Sequence, residues 1–383
     1  MYYLKGNIIT DGKVMPDQII EVDGCRITGV GVKRQNHEAP MIEVKNGFIC
    51  PGFVDIHFHG VDGMDFMDEG KGVFRDITTH LPKYGITSCL ATSRTASLPD
   101  INEFLQAATR YNPLNPEGAR ILGVHLEGPW LSPKYSGAQR KELIRALTWS
   151  DVISVIEPYQ SIISKMTIAP EEVKDPTIIP HLVSLGIQVS AGHTNASIEQ
   201  IRVTIEHGLS QLTHTFNAMS PVDHRRPGTA AAALYFENLI CELITDGVHV
   251  ESRMIELLYK MKRKENIALI SDCTGYNQFP DGEFLERGKE LVRKGNEVRL
   301  KNGSLAGSAI TLNEGVKHAI SQCNIPLAEA VFMATETPAK AAGTDLKIGK
   351  IKPGFLADFV ILDQDMGVTK TIIDGKVMYS SSI

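Results

Sequence analysis

Four histidines and two acids stand where their residue types suggest chemistry: His57, His59, His193, His214, Glu127 and Asp272. Imidazole nitrogens and carboxylate oxygens are the donors that zinc or ferrous iron accepts. Each residue falls at or near the end of a short apolar run, in FVDIHFH, ILGVHLE, IQVSAGH, QLTHTF and IALISD. In an extended strand residues two apart point the same way, so His57 and His59 can reach one ion together. Taken singly, each has an ordinary explanation. An HxH pair is commonly two unrelated histidines, a lone histidine a hydrogen-bonded core residue, and a buried glutamate the partner of an arginine. Six such residues at the ends of five runs are another matter, because burying them together without a cation is costly.

The runs that carry them must be strands whose ends face one way. Between roughly 51 and 345, eight apolar runs suit buried strands: 52–59, 85–92, 121–128, 165–170, 186–193, 211–218, 239–247 and 267–272. Helical patterns lie between several of them, over 97–110, 197–206 and 252–263, with another after Thr311, where Glu314 stands at capping-box distance. Eight strands alternating with helices suit a (β/α)₈ TIM-type barrel, in which all C-terminal strand ends share one face. A doubly wound open sheet is the alternative. Both termini differ from this middle. Residues 1–50 and 346–383 alternate short apolar runs with Asp-Gly and Asn-Gly turns. They are expected to form one small β-sandwich, with the barrel domain, 51–345, inserted between them. Two stretches break the rhythm: 129–150, expected to overhang the site, and 275–305, expected to be a β excursion.

Composition narrows the partners. The chain has 383 residues, 43% of them hydrophobic, and a net charge of −6 with no lysine or arginine run. That argues against nucleic acid, while leaving room for a small anionic substrate. No apolar run is long enough for a membrane span. The N-terminus lacks the pattern of a signal peptide, and the six cysteines are scattered with no CxxC pair. These features lead us to expect a cytoplasmic protein with free thiols. His37, His80, His181, His207 and His318 read as structural, His125 as a support for the site, and Cys273 as a bystander.

The residues also resemble a known family. PGFVDIHFHG with a later LADFVILD resembles the amidohydrolase superfamily; HLEGPW, SAGHTNAS, THTFNAM, ITDGVHV and LISDCTG narrow the likeness to the N-acetylglucosamine-6-phosphate deacetylases. The resemblance covers essentially the whole chain. It implies a homodimer that removes acetate from an amino-sugar phosphate with one or two divalent metals, zinc or iron, per subunit. It also implies that Glu127, His193 and His214 are the main ligands, with His57 and His59 holding a second metal bridged by Glu127. Asp272 corresponds to the catalytic aspartate and His249 to a sugar-binding residue. Asn217 and Ala218 match backbone contacts to the phosphate, and Arg225 an arginine that reaches the phosphate from the neighbouring subunit. Many other superfamily members bridge two metals with a lysine on the fourth strand, and KMTIAP offers none near its tip.

Two departures stand out. Arg225-Arg226-Pro227-Gly228 replaces the usual Arg-Glu-Pro-Gly, and Tyr135-Ser136-Gly137-Ala138-Gln139 replaces Lys-Lys-Gly-Ala-His. The expected chemistry is attack of metal-activated water on the acetyl carbon, with Asp272 carrying the proton from water to the leaving amine. The alternatives are deacetylation of another N-acetyl hexosamine such as N-acetylgalactosamine 6-phosphate, hydrolysis of a cyclic amide, and a non-catalytic binding relative.

Overall fold

A computed structural model describes residues 1–381 apart from 69, 71, 112–116 and 345. The expected boundary at 345 and the last two residues of the expected C-terminal segment lie outside the described residues.

Short, mostly buried runs form the eight central strands, which are covered on both faces and leave little side chain to solvent. They are β5 (Phe53–Phe58), β6 (Ile86–Thr92), β7 (Arg120–Glu127), β8 (Ile163–Ile168), β9 (Gln188–Ala191), β10 (Leu209–Leu212), β11 (Ile240–Ile244) and β12 (Ile267–Ile270). All pair in parallel and in chain order, from β5 at one edge to β12 at the other. The edges meet at their C-terminal ends: the Asp272 N–H donates to His57 O at 3.0 Å and the His59 N–H to Cys273 O at 3.0 Å. A doubly wound sheet reverses strand order at a switch point, whereas this one runs monotonically round to closure. The fold is a (β/α)₈ barrel.

The helices around it obey local rules. Ser97 caps Leu98–Arg110 and Ser197 caps Ile198–Glu206, each in a capping box. The Thr311 N–H donates to the Glu314 carboxylate at 2.7 Å at the start of the helix Leu312–Gln322. In 252–263 the helix is Ser252–Met261, and its cap is the preceding Glu251 carboxylate.

The terminal segments supply β1 (Tyr2–Thr10), β2 (Lys13–Asp23), β3 (Arg26–Val30) and β4 (Met41–Pro51). After the barrel they add β16 (Phe359–Leu362), β17 (Val368–Ile373) and β18 (Lys376–Ser380). Their order is β18-β17-β16-β4-β1-β2-β3. The sheet folds over a core of Leu4, Ile8, Ile20, Ile49, Phe359 and Ile372, among others. Strand β3 thereby reaches back to the approach to β16, with the Ile27 N–H on Phe355 O at 3.0 Å. This is the small sandwich built from both chain ends. The stretch 275–305 carries the antiparallel strands β13 (Gly282–Glu286), β14 (Lys289–Lys294) and β15 (Glu297–Leu300).

Candidate active site

Glu127, the last residue of β7, is the hub of the C-terminal face. Its Oε1 lies 3.0 Å from His214 Nε2, 3.3 Å from His193 Nε2 and 3.3 Å from His57 Nε2. Its Oε2 lies 3.4 Å from His59 Nε2. Asp272 Oδ1 sits 3.2 Å from His59 Nε2 and 3.4 Å from His57 Nε2. The six residues picked out by type and spacing thus come together, and all are buried.

The strands end sooner than the apolar runs suggest. β9 stops at Ala191, β10 at Leu212 and β12 at Ile270, so His193, His214 and Asp272 stand just beyond. All three have left-handed backbone, with φ of 45°, 30° and 50°, and Ala218 follows at 46°. Such values are uncommon for residues with a side chain and cluster at functional sites, where the surroundings hold them. Here they turn the side chains off the strand line and onto Glu127.

Burial alone would raise the Glu127 pKa, but the surrounding imidazoles outweigh it and hold the carboxyl well below its usual range. Asp272 is likewise shifted up by burial and further down by His57 and His59. Burial works against a charged His59, yet Asp272 and Glu127 lift its pKa to about 9. Two carboxylates buried together are balanced by positive charge beside them, from protonated imidazole or from a bound cation. His57 Nε2 is buried without a hydrogen-bond partner among the described residues, although two carboxylate oxygens lie within 3.4 Å. His57, His59 and Glu127 form one group whose donor atoms lie within 4.8 Å of one another; Glu127, His193 and His214 form a second. The donor set, the orphaned nitrogen and the shared carboxylate fit a divalent cation at either place.

Above this cluster opens a cavity of about 340 Å³. His59, Glu127, His193, His214, His249 and Asp272 reach it, and Asn217 and Ala218 form part of its wall. His57 lies beneath, fully buried. His249 Nδ1 pairs with Asp246 Oδ2 at 2.7 Å. Burial opposes protonation of this imidazole, but Asp246 raises its pKa on balance. The Asn217 backbone N–H is engaged by His214 O at 3.0 Å. Arg225 is exposed and does not line the cavity of its own chain.

Several residues at the site have no individual role assigned from sequence, including Gln139, whose stretch 135–139 stands out only as a departure. Gln139 donates from Nε2 to Glu127 Oε2 at 2.6 Å and accepts the Thr95 N–H at 2.9 Å. The segment 129–150 does overhang the site: Tyr135 O meets His193 Nδ1 at 2.9 Å. Gly137, at φ 57°, permits the close approach, since a Cβ there would lie 3.1 Å from His193 Cε1. Arg94, Lys289 and Arg299 bring cations of this same chain to the cavity. Glu242 and Lys165 lie fully buried below. Each is a charged residue inside an apolar strand run, ICELI and ISKMTI, and that anomaly is the signal that could have flagged them. His125 supports the floor, its Nε2 2.7 Å from Thr167 Oγ1 and its ring edge-on to His57. Cys273 is buried, and burial pushes its thiol pKa far up, away from nucleophilic chemistry.

The fold and this histidine–carboxylate centre have counterparts among known proteins. The model of the amidohydrolase family matches residues 48–378, and the chain belongs to that family. The family is metal-dependent, and the two histidine–glutamate groups are able to hold a metal.

Within it, N-acetylglucosamine-6-phosphate deacetylase of Bacillus subtilis (strain 168) is 32% identical over 383 residues, covering 98% of this chain and 96% of its own. N-acetylgalactosamine-6-phosphate deacetylase of Escherichia coli O157:H7 is 33% identical over 329 residues, covering 86% and 87%. The solved N-acetylglucosamine-6-phosphate deacetylase from Pasteurella multocida superposes with a TM-score of 0.91 at 30% identity, covering 99% of this chain and 100% of that one. A mutant of the Mycobacterium smegmatis enzyme, solved in complex with N-acetyl-D-glucosamine-6-phosphate, also has a TM-score of 0.91, at 28% identity and 99% coverage of both chains.

Proposed function

We propose that this protein hydrolyses the N-acetyl amide of an amino-sugar 6-phosphate, converting N-acetylglucosamine 6-phosphate to glucosamine 6-phosphate and acetate. One observation carries the reading: Glu127 joins two histidine pairs at the floor of a cavity, with Asp272 beside them. Relatives named for this activity, matched over nearly their whole length, support it. Glu127, His193 and His214 would hold one zinc or ferrous ion, and His57 and His59 with Glu127 a second. When bound, such an ion polarises the acetyl carbonyl and lowers the pKa of water.

The chain's own groups do the rest. Asp272, kept ionised by its histidine neighbours, accepts a proton at Oδ1 or Oδ2 from the attacking water and delivers it to the amide nitrogen. The C–N bond then breaks, and the amine leaves carrying that proton. His249, steadied by Asp246, faces the cavity and binds the sugar or the developing oxyanion. The phosphate contacts the backbone at Ala218 and, shared with His214 O, the Asn217 N–H, together with the forked guanidinium of Arg225. Exposed and outside its own cavity, Arg225 is suited to act from a second copy in a homodimer. Arg299 and Lys289 add positive potential for an anionic substrate. The same reading divides the chain near residues 50 and 345. It places the protein in the cytoplasm, supported by six cysteines that are all free thiols.

N-acetylgalactosamine 6-phosphate is the second candidate, because a relative named for it is as similar as those named for the gluco epimer. Measuring kcat/KM on both epimers, each with and without the 6-phosphate, tests the reading. A clear preference for a phosphorylated hexosamine is expected. Equal rates on the unphosphorylated sugars would remove the phosphate from the account.

A further inference from the structure

Beneath the cavity, Glu242 on β11 is fully buried, as is Lys165 on β8, and the Lys165 ammonium pairs directly with Glu242 Oε1. The other carboxylate oxygen, Oε2, serves the site above it. It lies 3.0 Å from His57 Nδ1 and accepts the backbone N–H of His214 at 3.2 Å. Thus one carboxylate touches a residue from each of the two groups that share Glu127.

A buried ion pair is a poor source of stability, since apolar residues of similar volume commonly do as well or better. Its presence under the site therefore asks for another reason, and His57 supplies one. With Glu242 Oε2 accepting from His57 Nδ1–H, the lone pair stands on Nε2. That nitrogen points toward Glu127 and Asp272 and has no hydrogen-bond partner among the described residues. Lys165 occupies the other oxygen of the same carboxylate and so fixes which oxygen faces His57. The contact to the His214 N–H holds the left-handed turn that swings this imidazole onto Glu127.

We propose that Glu242, held from its other oxygen by Lys165, is the positioning residue for the cation site at His57 and His59, and that it ties this site to the one at His193 and His214. The proposal rests on the two-cation reading given above.

Substitution makes the claim specific. In Glu242→Gln the amide oxygen takes the place against Lys165 Nζ, so the amide –NH₂ faces His57 Nδ1 and the His214 N–H loses its acceptor. The His57 proton then moves to Nε2, the wrong nitrogen for a ligand. Supporting residues of this kind are typically worth about 10–100-fold in metal affinity.

The test is a titration of metal-stripped wild type, Glu242→Gln and the double variant Lys165→Met/Glu242→Leu with Zn²⁺ or Co²⁺. Stoichiometry and affinity are read against a competing chelator, and unfolding of each metal-free protein is followed in parallel. Wild type should take two equivalents. In Glu242→Gln the weaker equivalent should lose about 10–100-fold in affinity, with less change in the tighter one. The double variant should lose the second equivalent while its metal-free form unfolds no earlier than wild type. If wild type takes two equivalents and both variants bind them unchanged, the inference is overturned alone. If wild type takes only one, the two-cation reading falls and the inference with it. A double variant with unchanged affinities but a markedly destabilised metal-free form marks the pair as structural, and that also overturns the inference.

Discussion

Asp272 stands between His59 and the cavity, just beyond the end of β12. Asparagine keeps its shape and removes its basicity, so Asp272→Asn should lower kcat by roughly 10²–10⁴-fold, the usual contribution of a general acid–base group. Bound metal, measured by elemental analysis, should stay at the wild-type level, and near-normal turnover would remove Asp272 from the proton path. Asp272 is also a residue the sequence made legible, as the acid ending the last apolar run of eight. Gln139 was not legible in the same way. Its bond to Glu127 joins a loop to a strand end, and no spacing rule connects residues 127 and 139 before the loop folds back. Glu242 and Lys165 hid for a related reason. A charge in an apolar run says that something must neutralise it, but their partner strands are known only once the barrel has closed.

At the scale of elements, β7 links the two halves of the molecule. Its last residue is Glu127; its first, Arg120, is buried against the small sandwich, bonded to Asp358 at 3.0 Å and Asp374 at 2.8 Å. Burial raises the Asp358 pKa even with Arg120 beside it. Removing the guanidinium therefore leaves a carboxylate buried without its partner. Arg120→Met should cost about 3–5 kcal/mol in denaturant unfolding. It should leave kcat nearly unchanged at low temperature, because the site lies at the other end of the strand. A loss below about 1 kcal/mol would show the contact to be no more than a surface pair. All eight barrel strands were readable from their apolar runs, as was the β character of both termini. What the runs misplaced were the limits: the expected 165–170 and 211–218 begin two residues late, and several runs extend past the strand's C-terminal end. QLTHTFNA reads as strand through Ala218, yet the regular strand ends at Leu212; Thr213 and Thr215 still donate to the neighbouring strands, but His214, Phe216 and Ala218 take positive φ. Pattern alone does not reveal where function bends the backbone.

For the whole molecule, the account needs a second copy to bring Arg225 to the phosphate. That can be read without a structure of the dimer. Arg225→Ala and Asp272→Asn are each expected to be poorly active alone. Unfolded together and refolded as a mixture, they should form hybrid dimers with one site holding both residues, recovering up to about a quarter of wild-type activity. Mixtures no more active than the separate variants would place Arg225 outside the partner's site. Arg94, Lys289 and Arg299 would then be the cations left to meet the phosphate.

The most direct test of the central claim is the release of acetate from N-acetylglucosamine 6-phosphate by the purified protein, before and after removal of bound metal. The account predicts acetate and free amine in equal amounts, loss of both on chelation, and recovery on adding zinc or ferrous iron. A metal-loaded protein that releases no acetate from this substrate or its galacto epimer, or one that releases it undiminished after complete metal removal, would contradict the account.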